Sequence, residues 1–193
     1  MLFAMFMFSL SMSLSPGPVN IVSMNMGSTL GFNRALHFVA GATIGFIVQL
    51  LLTGISATMV LQDLVTYSHY LRYPGALYML CLALVILGSK PDPDAETKTE
   101  QQNGFVSGML IQWINPKAWI ACVAGTSAFI LGKSHTDFAL FLLVYFVVCF
   151  CSVALWAAAG RLMMRHLQHT VFRRIFNLFL ASMLGLCAVA LLW

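Results

Sequence analysis

Residues 139–150 read Ala-Leu-Phe-Leu-Leu-Val-Tyr-Phe-Val-Val-Cys-Phe, a run without a charge or an amide side chain. Wound as a helix, this stretch is apolar on every face, so it has no side to turn toward water. Crossing about 30 Å of hydrocarbon takes about 20 such residues. Extended outward, the run becomes a candidate span at Phe138–Gly160, and comparable runs lie near Leu2–Gly27, Ala35–Leu61, Tyr70–Gly88, Phe105–Leu131 and Phe172–Trp193.

Six spans consume nearly all of the 193 residues, which are 60% hydrophobic and only 8% charged, with a mean hydropathy of +0.88. A soluble domain is about one-quarter charged, so a water-soluble fold is excluded. A membrane barrel needs segments of about ten residues alternating apolar and polar, which residues 139–150 do not do. The sequence predicts an all-α integral membrane protein of about six transmembrane helices. The first run has neither a basic flank nor a small-x-small cleavage site, and five further spans follow, so it reads as a retained helix.

With the chain so committed to the bilayer, no soluble domain is left to carry catalysis or bind nucleic acid, and function has to sit between helices, among membrane lipid. The net charge of +4 is a topology signal, because four of the six arginines flank one short loop. The loops after helices one, three and five hold Arg34, Lys90, Lys98, Arg161, Arg165, Arg173 and Arg174; the opposite side holds only Arg72 and Lys133. Lys and Arg favour the cytoplasmic side, which predicts both termini outside the cytoplasm of a multi-pass protein in a bacterial inner membrane. The five cysteines, Cys81, Cys122, Cys149, Cys151 and Cys187, are odd in number and lack metal-type spacing, and the twelve methionines are scattered through apolar runs. They read as packing residues, and no metal or cofactor is expected.

Residues 91–103 carry Asp92, Asp94, Glu96, Lys98 and Glu100 and form the one clearly soluble stretch. This linker divides a single membrane transport domain into a first half, 1–90, and a second half, 104–193, of three spans each. An odd number of spans per half makes equivalent helices run in opposite directions, the inverted-repeat plan of many secondary transporters. Each half interrupts its first helix, at Ser15-Pro16-Gly17-Pro18 and at Asn115-Pro116-Lys117. Ten residues, about 15 Å of helix, separate Phe105 from Asn115, so the second break falls near mid-membrane.

Proline removes a backbone donor and leaves carbonyls unpaired at a depth where each costs several kcal/mol unless something else satisfies it. Pro18 and Pro116 are placed to start new half-helices, with Asn115 as an N-cap. Such N-termini carry partial positive charge and free amides suited to a carboxylate. Lys117 is the single fully charged side chain deep in any span, at a cost of about 3 to more than 10 kcal/mol. The alternatives are that it snorkels or caps carbonyls around the break. Asn20 with Ser23, and Gln112 with Asn115, share helix faces three residues apart and are candidates for the cavity wall, interhelical hydrogen bonding being the other use of such groups. The predicted substrate-binding set is Pro16, Gly17, Pro18, Asn20, Gln112, Asn115, Pro116 and Lys117. Gly41 with Gly45, and Ala154 with Ala158, are small-xxx-small packing pairs.

These residues carry a resemblance. Ser15-Pro16-Gly17-Pro18 with Asn20, then Gly31 through Ala35, Gly41, Gly45 and Asn115-Pro116-Lys117, resemble the lysine and homoserine/threonine exporter superfamily (LysE/RhtB) over essentially the full length. The resemblance implies export of amino acids or close derivatives, coupled to proton entry, with no ATP and no cofactor. Two departures exist. Phe46 stands where many members have an acidic residue, and Gly125-Thr126-Ser127-Ala128-Phe129 replaces a Pro-Gln-Phe-like segment. Both are similar to the cysteine/O-acetylserine exporter branch, as is Ser28-Thr29-Leu30-Gly31-Phe32.

The expectation is a proton-coupled antiporter for small neutral amino acids, of the cysteine/O-acetylserine or homoserine/threonine kind. Its substrate binds between Pro16–Asn20 and Asn115–Lys117, and the two halves then rock in alternating access. Without a carboxylate at position 46, the acidic candidates are Asp63 and Asp137 near span ends, the alternative being titration of Lys117 itself. An enzyme is not expected, because the spans hold no aspartate, glutamate or histidine well inside them. The rival readings are a non-transporting structural or interaction subunit and a channel; homodimerisation is left open.

Overall fold

The structure, a computed structural model, describes residues 1–70, 72–88, 104–130, 133–163, 166 and 169–192, and over 57–70 only the backbone. These residues are helical almost throughout, in eight helices: α1 Leu2–Leu14, α2 Pro18–Thr29, α3 Phe32–Tyr70, α4 Arg72–Gly88, α5 Gly104–Ile114, α6 Pro116–Phe129, α7 His135–Met163 and α8 Thr170–Leu192. The linker expected at 91–103 and the side chain of Asp63 lie outside the described residues.

Local chemistry sets where the helices stop. Pro16 disfavours helical backbone at the residue before it, and Ser15 is extended at φ −62° and ψ 142°. Pro18 then opens α2 as its first residue, its fixed φ already helical and its missing N–H not needed there. The result is a 60° bend between α1 and α2. Past the end of α2, Gly31 turns the chain into α3 with φ 88°, a left-handed value that costs glycine nothing. Ser134 and Asp137 open α7 reciprocally, as Asp137 N donates to Ser134 Oγ at 3.2 Å and Ser134 N to Asp137 Oδ2 at 3.3 Å.

The helix α3 runs for 39 residues, beyond the span end expected at Leu61. Between Pro18 and Pro74 there is no proline to stop it, and hydropathy marks where the membrane ends, not where the helix does. Among the described residues three helical segments are long and apolar enough to cross a membrane, Phe32–Ser56, His135–Met163 and Thr170–Val189, and the bent pair α1 and α2 passes the same test when taken together as one span. The expected span at Phe105–Leu131 is likewise two helices, of 11 and 14 residues, each too short to cross alone. The protein is an α-helical, multi-pass membrane protein.

Packing crosses between the halves. The long helix α3 lies against α5 and α6, α7 lies against α1 and α2, and α3 meets α7 at the centre, while α4 pairs with α8. Small residues allow these approaches: a Cβ on Gly41 would collide with the Phe105 carbonyl and one on Gly108 with that of Phe38. The α2–α7 seam repeats the device, with Gly27 on the Ala157 carbonyl and Gly160 on that of Met24. Lipid tails are as apolar as leucine, so such backbone contact, more than hydrophobic burial, holds helices together in a bilayer.

One core gathers Met5, Phe38, Phe46, Phe141 and Tyr145, and a second joins Ile21 with Ile86, Leu180 and Leu184 along α4 and α8. Leu77, Leu84, Leu155 and Leu186, each more than 60% exposed, point outward where lipid would cover them.

Candidate transport site at the two helix breaks

The two breaks meet at one cavity, which offers about 40 Å³ to the centres of water-sized molecules, more than a single water needs. Gly17, Asn20, Gln112, Asn115 and Lys117 of the predicted set line it. Pro16, Pro18 and Pro116 do not line it; they shape the backbone on either side.

At the second break the polar groups are satisfied locally. Asn115 Oδ1 accepts from Lys117 N at 3.1 Å, the side-chain cap that the Asn-Pro-Lys spacing leads one to expect. Asn115 N donates to Gln112 O at 3.1 Å, and Trp119 Nε1 donates to Trp113 O at 2.8 Å. Two of the carbonyls at the end of α5, those of Gln112 and Trp113, are thus met from beside the break itself.

The first break is satisfied from a distance. Trp156 Nε1 of α7 donates to Leu14 O at 3.2 Å. Asn20 Nδ2 reaches back from α2 to Ser13 O at 2.8 Å and Ser15 O at 2.9 Å. Lys117 crosses from α6, and its ammonium donates to Ser15 O at 2.7 Å, Ser15 Oγ at 2.8 Å and Pro16 O at 3.3 Å. Pro16 O also accepts a long contact of 3.8 Å from Cys187 Sγ on α8. Four helices thus converge on the carbonyl end of α1, where a helix presents partial negative charge and a cation is favoured.

The Lys117 ammonium has three donors, and all of them rest on the first half of the chain. The carbonyl-capping alternative for Lys117 therefore describes this geometry. It does not displace the cavity role, since the same side chain lines the cavity. Gly17 makes room for it: a Cβ there would lie 3.2 Å from Lys117 Cδ and 3.3 Å from Nζ. Gly17 itself is extended at φ −171°, and α2 begins beside the cavity without a side-chain cap.

Other lining residues were not in the predicted set. Ser13, Tyr145 and Cys149 line the cavity together with Phe46. The Ser13 hydroxyl lies alongside the Tyr145 hydroxyl and the Cys149 thiol, though without a hydrogen bond of ordinary geometry. Phe46 stacks on Tyr145 with centroids 4.3 Å apart, so position 46 presents a ring to the cavity. A signal for the missed residues exists in hindsight. Tyr145 and Cys149 lie four apart on α7, as Ser9 and Ser13 do on α1, so each pair shares a helix face. Asp137 is engaged with Ser134 at the start of α7 and does not line the cavity.

Chemically, the arrangement puts one ammonium, an uncapped helix start and buried amide side chains around a small space. Such a set can exchange backbone carbonyls for a carboxylate, which offers a full charge to the same donors.

A family model described as LysE type translocator matches residues 10–193. The cysteine/O-acetylserine efflux protein of Salmonella paratyphi A (strain ATCC 9150 / SARB42) is 30% identical over 198 residues, covering 100% of this chain and 98% of that protein. The protein of the same name in Escherichia coli O157:H7 is also 30% identical over 198 residues, with the same coverage. No solved structure matches the chain. With the family model matching all but the first nine residues, the chain belongs to the LysE-type translocator family and is a transporter, not an enzyme.

Proposed function

We propose that the protein is a secondary active exporter of small neutral α-amino acids, cysteine and O-acetylserine foremost and homoserine or threonine next, across the bacterial inner membrane. The observation that carries this reading is Lys117, whose charge is held at the lined cavity while its ammonium ties the two halves together. The names of the relatives favour the substrate class.

In this reading the substrate carboxylate enters between the breaks and takes the Lys117 donors from Ser15 O and Pro16 O. A carboxylate attracts the ammonium more strongly than a carbonyl does, so binding loosens the tie between the halves. The cavity already admits water-sized molecules, and in this reading taking up an amino acid widens it as the halves separate. Both effects favour alternating access by two inverted three-helix halves, a plan supported by the reciprocal packing of α3 on α5 and α6 and of α7 on α1 and α2. Proton entry resets the cycle, through Lys117 itself or an acidic group near a span end. The charge pattern of the loops favours both termini outside the cytoplasm. A purely structural subunit could use Lys117 as a carbonyl cap; what favours transport is that the same costly side chain also lines the cavity.

The reading is tested by efflux of labelled cysteine, O-acetylserine, homoserine, threonine and lysine from preloaded cells expressing the protein, with and without a protonophore. Loss of one or two neutral amino acids that stops when the proton gradient collapses is the expected result. Efflux of none of them contradicts it.

A further inference from the structure

One polar group of the interior is used by nothing described so far. Gln49 on α3 is 0% exposed, and neither its Nε2 nor its Oε1 has a hydrogen-bond partner. Thr126 on α6 is also 0% exposed, and its Oγ1 is without a partner. In hydrocarbon each such group costs on the order of a few kcal/mol, and a buried amide is normally kept only where its hydrogen bonds are made at some stage.

The two belong to one seam. Thr53, one turn after Gln49, donates its hydroxyl to Gln49 O at 2.7 Å, and its side chain meets the thiol of Cys122 on α6. The next residue, Gly54, faces the end of α6 and the start of α7, since a Cβ there would lie 2.6 Å from Phe138 Cζ and 3.3 Å from Cδ1 of Ile130, the residue that follows α6. Thr126 lies midway between Cys122 and Ile130, one helical turn from each, so it stands across the seam from Thr53 and Gly54. Gln49 lies one turn beyond Phe46, which lines the cavity and stacks on Tyr145 at 4.3 Å. The seam therefore leads away from the breaks, past an aromatic pair, toward the connection between α6 and α7.

We propose that Gln49 and Thr126 form a second polar station, which takes the head group of the transported α-amino acid after it has passed the Phe46–Tyr145 pair. This rests on the export reading and deepens it. An amide and a hydroxyl each donate and accept, so together they can hold either the ammonium or the carboxylate end of a zwitterion. Neither carries a fixed charge, which keeps the hold weak enough for release, unlike the Lys117 end of the route. Phe46 is the matching barrier, a ring between two polar sites.

Gln49→Leu, Thr126→Val and Thr126→Ser test the station against wild type, by efflux kinetics in proteoliposomes and thermal unfolding of the purified protein. Gln49→Leu and Thr126→Val remove polar atoms without partners, so both proteins are expected to melt at or above the wild-type temperature. Their maximal efflux should fall about tenfold while the half-saturating concentration changes less than about twofold, because the first site is untouched. Thr126→Ser, which keeps the hydroxyl, should retain most of the wild-type rate. Normal maximal efflux by Gln49→Leu or Thr126→Val overturns the proposal, as does a melting temperature well below wild type, which would make these groups structural. Wild-type protein exporting no amino acid in the same vesicles would overturn the export reading itself, whatever the variants do.

Discussion

The two helix breaks look alike as sequence and differ as structures. Both place proline after a polar residue near mid-span, yet the Asn115 break draws its hydrogen bonds from residues within six positions of each other, Asn115 to Lys117, Asn115 to Gln112 and Trp119 to Trp113. The Ser15–Pro18 break has local bonds too, Ser15 Oγ to Met12 O and Asn20 Nδ2 to Ser15 O, but draws its other donors from α6, α7 and α8. A break closed by its own neighbours is a rigid corner and keeps its shape when surrounding helices shift. A break closed from elsewhere changes whenever those helices move. In the account developed here the second break is a fixed mount that delivers Lys117, and the first is the element that responds.

The most severe way to test that contrast is Lys117→Met, which cuts the one side chain that joins the breaks. Export should fall to background, about 100-fold or more, while the protein stays folded, because Ser15 O keeps Asn20 and Pro16 O keeps the Cys187 thiol. Efflux and a thermal melt of the same preparation check both halves of this statement.

Next in size is a stability effect at the first break. Asn20→Leu leaves Ser13 O without its donor, a loss of about 1–3 kcal/mol, and removes one of two donors from Ser15 O, a further loss of about 0.5–1.5 kcal/mol. Asn115→Ala removes only a local cap, worth about 1 kcal/mol, and should reduce export less than Lys117→Met. Unfolding of both variants in detergent ranks them; equal losses would erase the contrast between the breaks.

Gly17→Ala is milder. The added methyl presses on Lys117 Cδ at 3.2 Å, and a flexible side chain can yield. A rise of about threefold in the half-saturating concentration with an unchanged melt is the expected outcome. The smallest effects belong to the two indoles. Trp156→Phe and Trp119→Phe each lose one hydrogen bond, about 0.5–1.5 kcal/mol. The Trp119 bond joins α5 to α6 across their own break, whereas the Trp156 bond ties α7 of the second half to α1 of the first, so only Trp156→Phe should alter transport kinetics.

Much of this was legible in the residues before any coordinates. Runs apolar on all faces left helices in a membrane as the one solution, and the prolines marked where two helices stop. Asn115 read as a cap because its neighbours in sequence are also its partners in space. The partners of the first break were not legible for the opposite reason: Trp156 lies 142 positions from Leu14 and Cys187 lies 171 from Pro16, and no local rule links them. Ser13 and Tyr145 were hidden likewise, since a lone polar residue in an apolar run looks the same whether it faces lipid, a neighbour or a cavity. The end of α3 was missed because nothing in its sequence stops a helix where the apolar run fades.

The central claim is that a substrate carboxylate takes the place of the α1 carbonyls on Lys117. It is tested most directly by counterflow in proteoliposomes, comparing labelled O-acetylserine with its carboxamide for wild type and Lys117→Met. The account predicts exchange of the carboxylate form by wild type, none of the carboxamide, and none of either by Lys117→Met. Equal exchange of both forms by wild type, or carboxylate exchange at the wild-type rate by Lys117→Met, would contradict it.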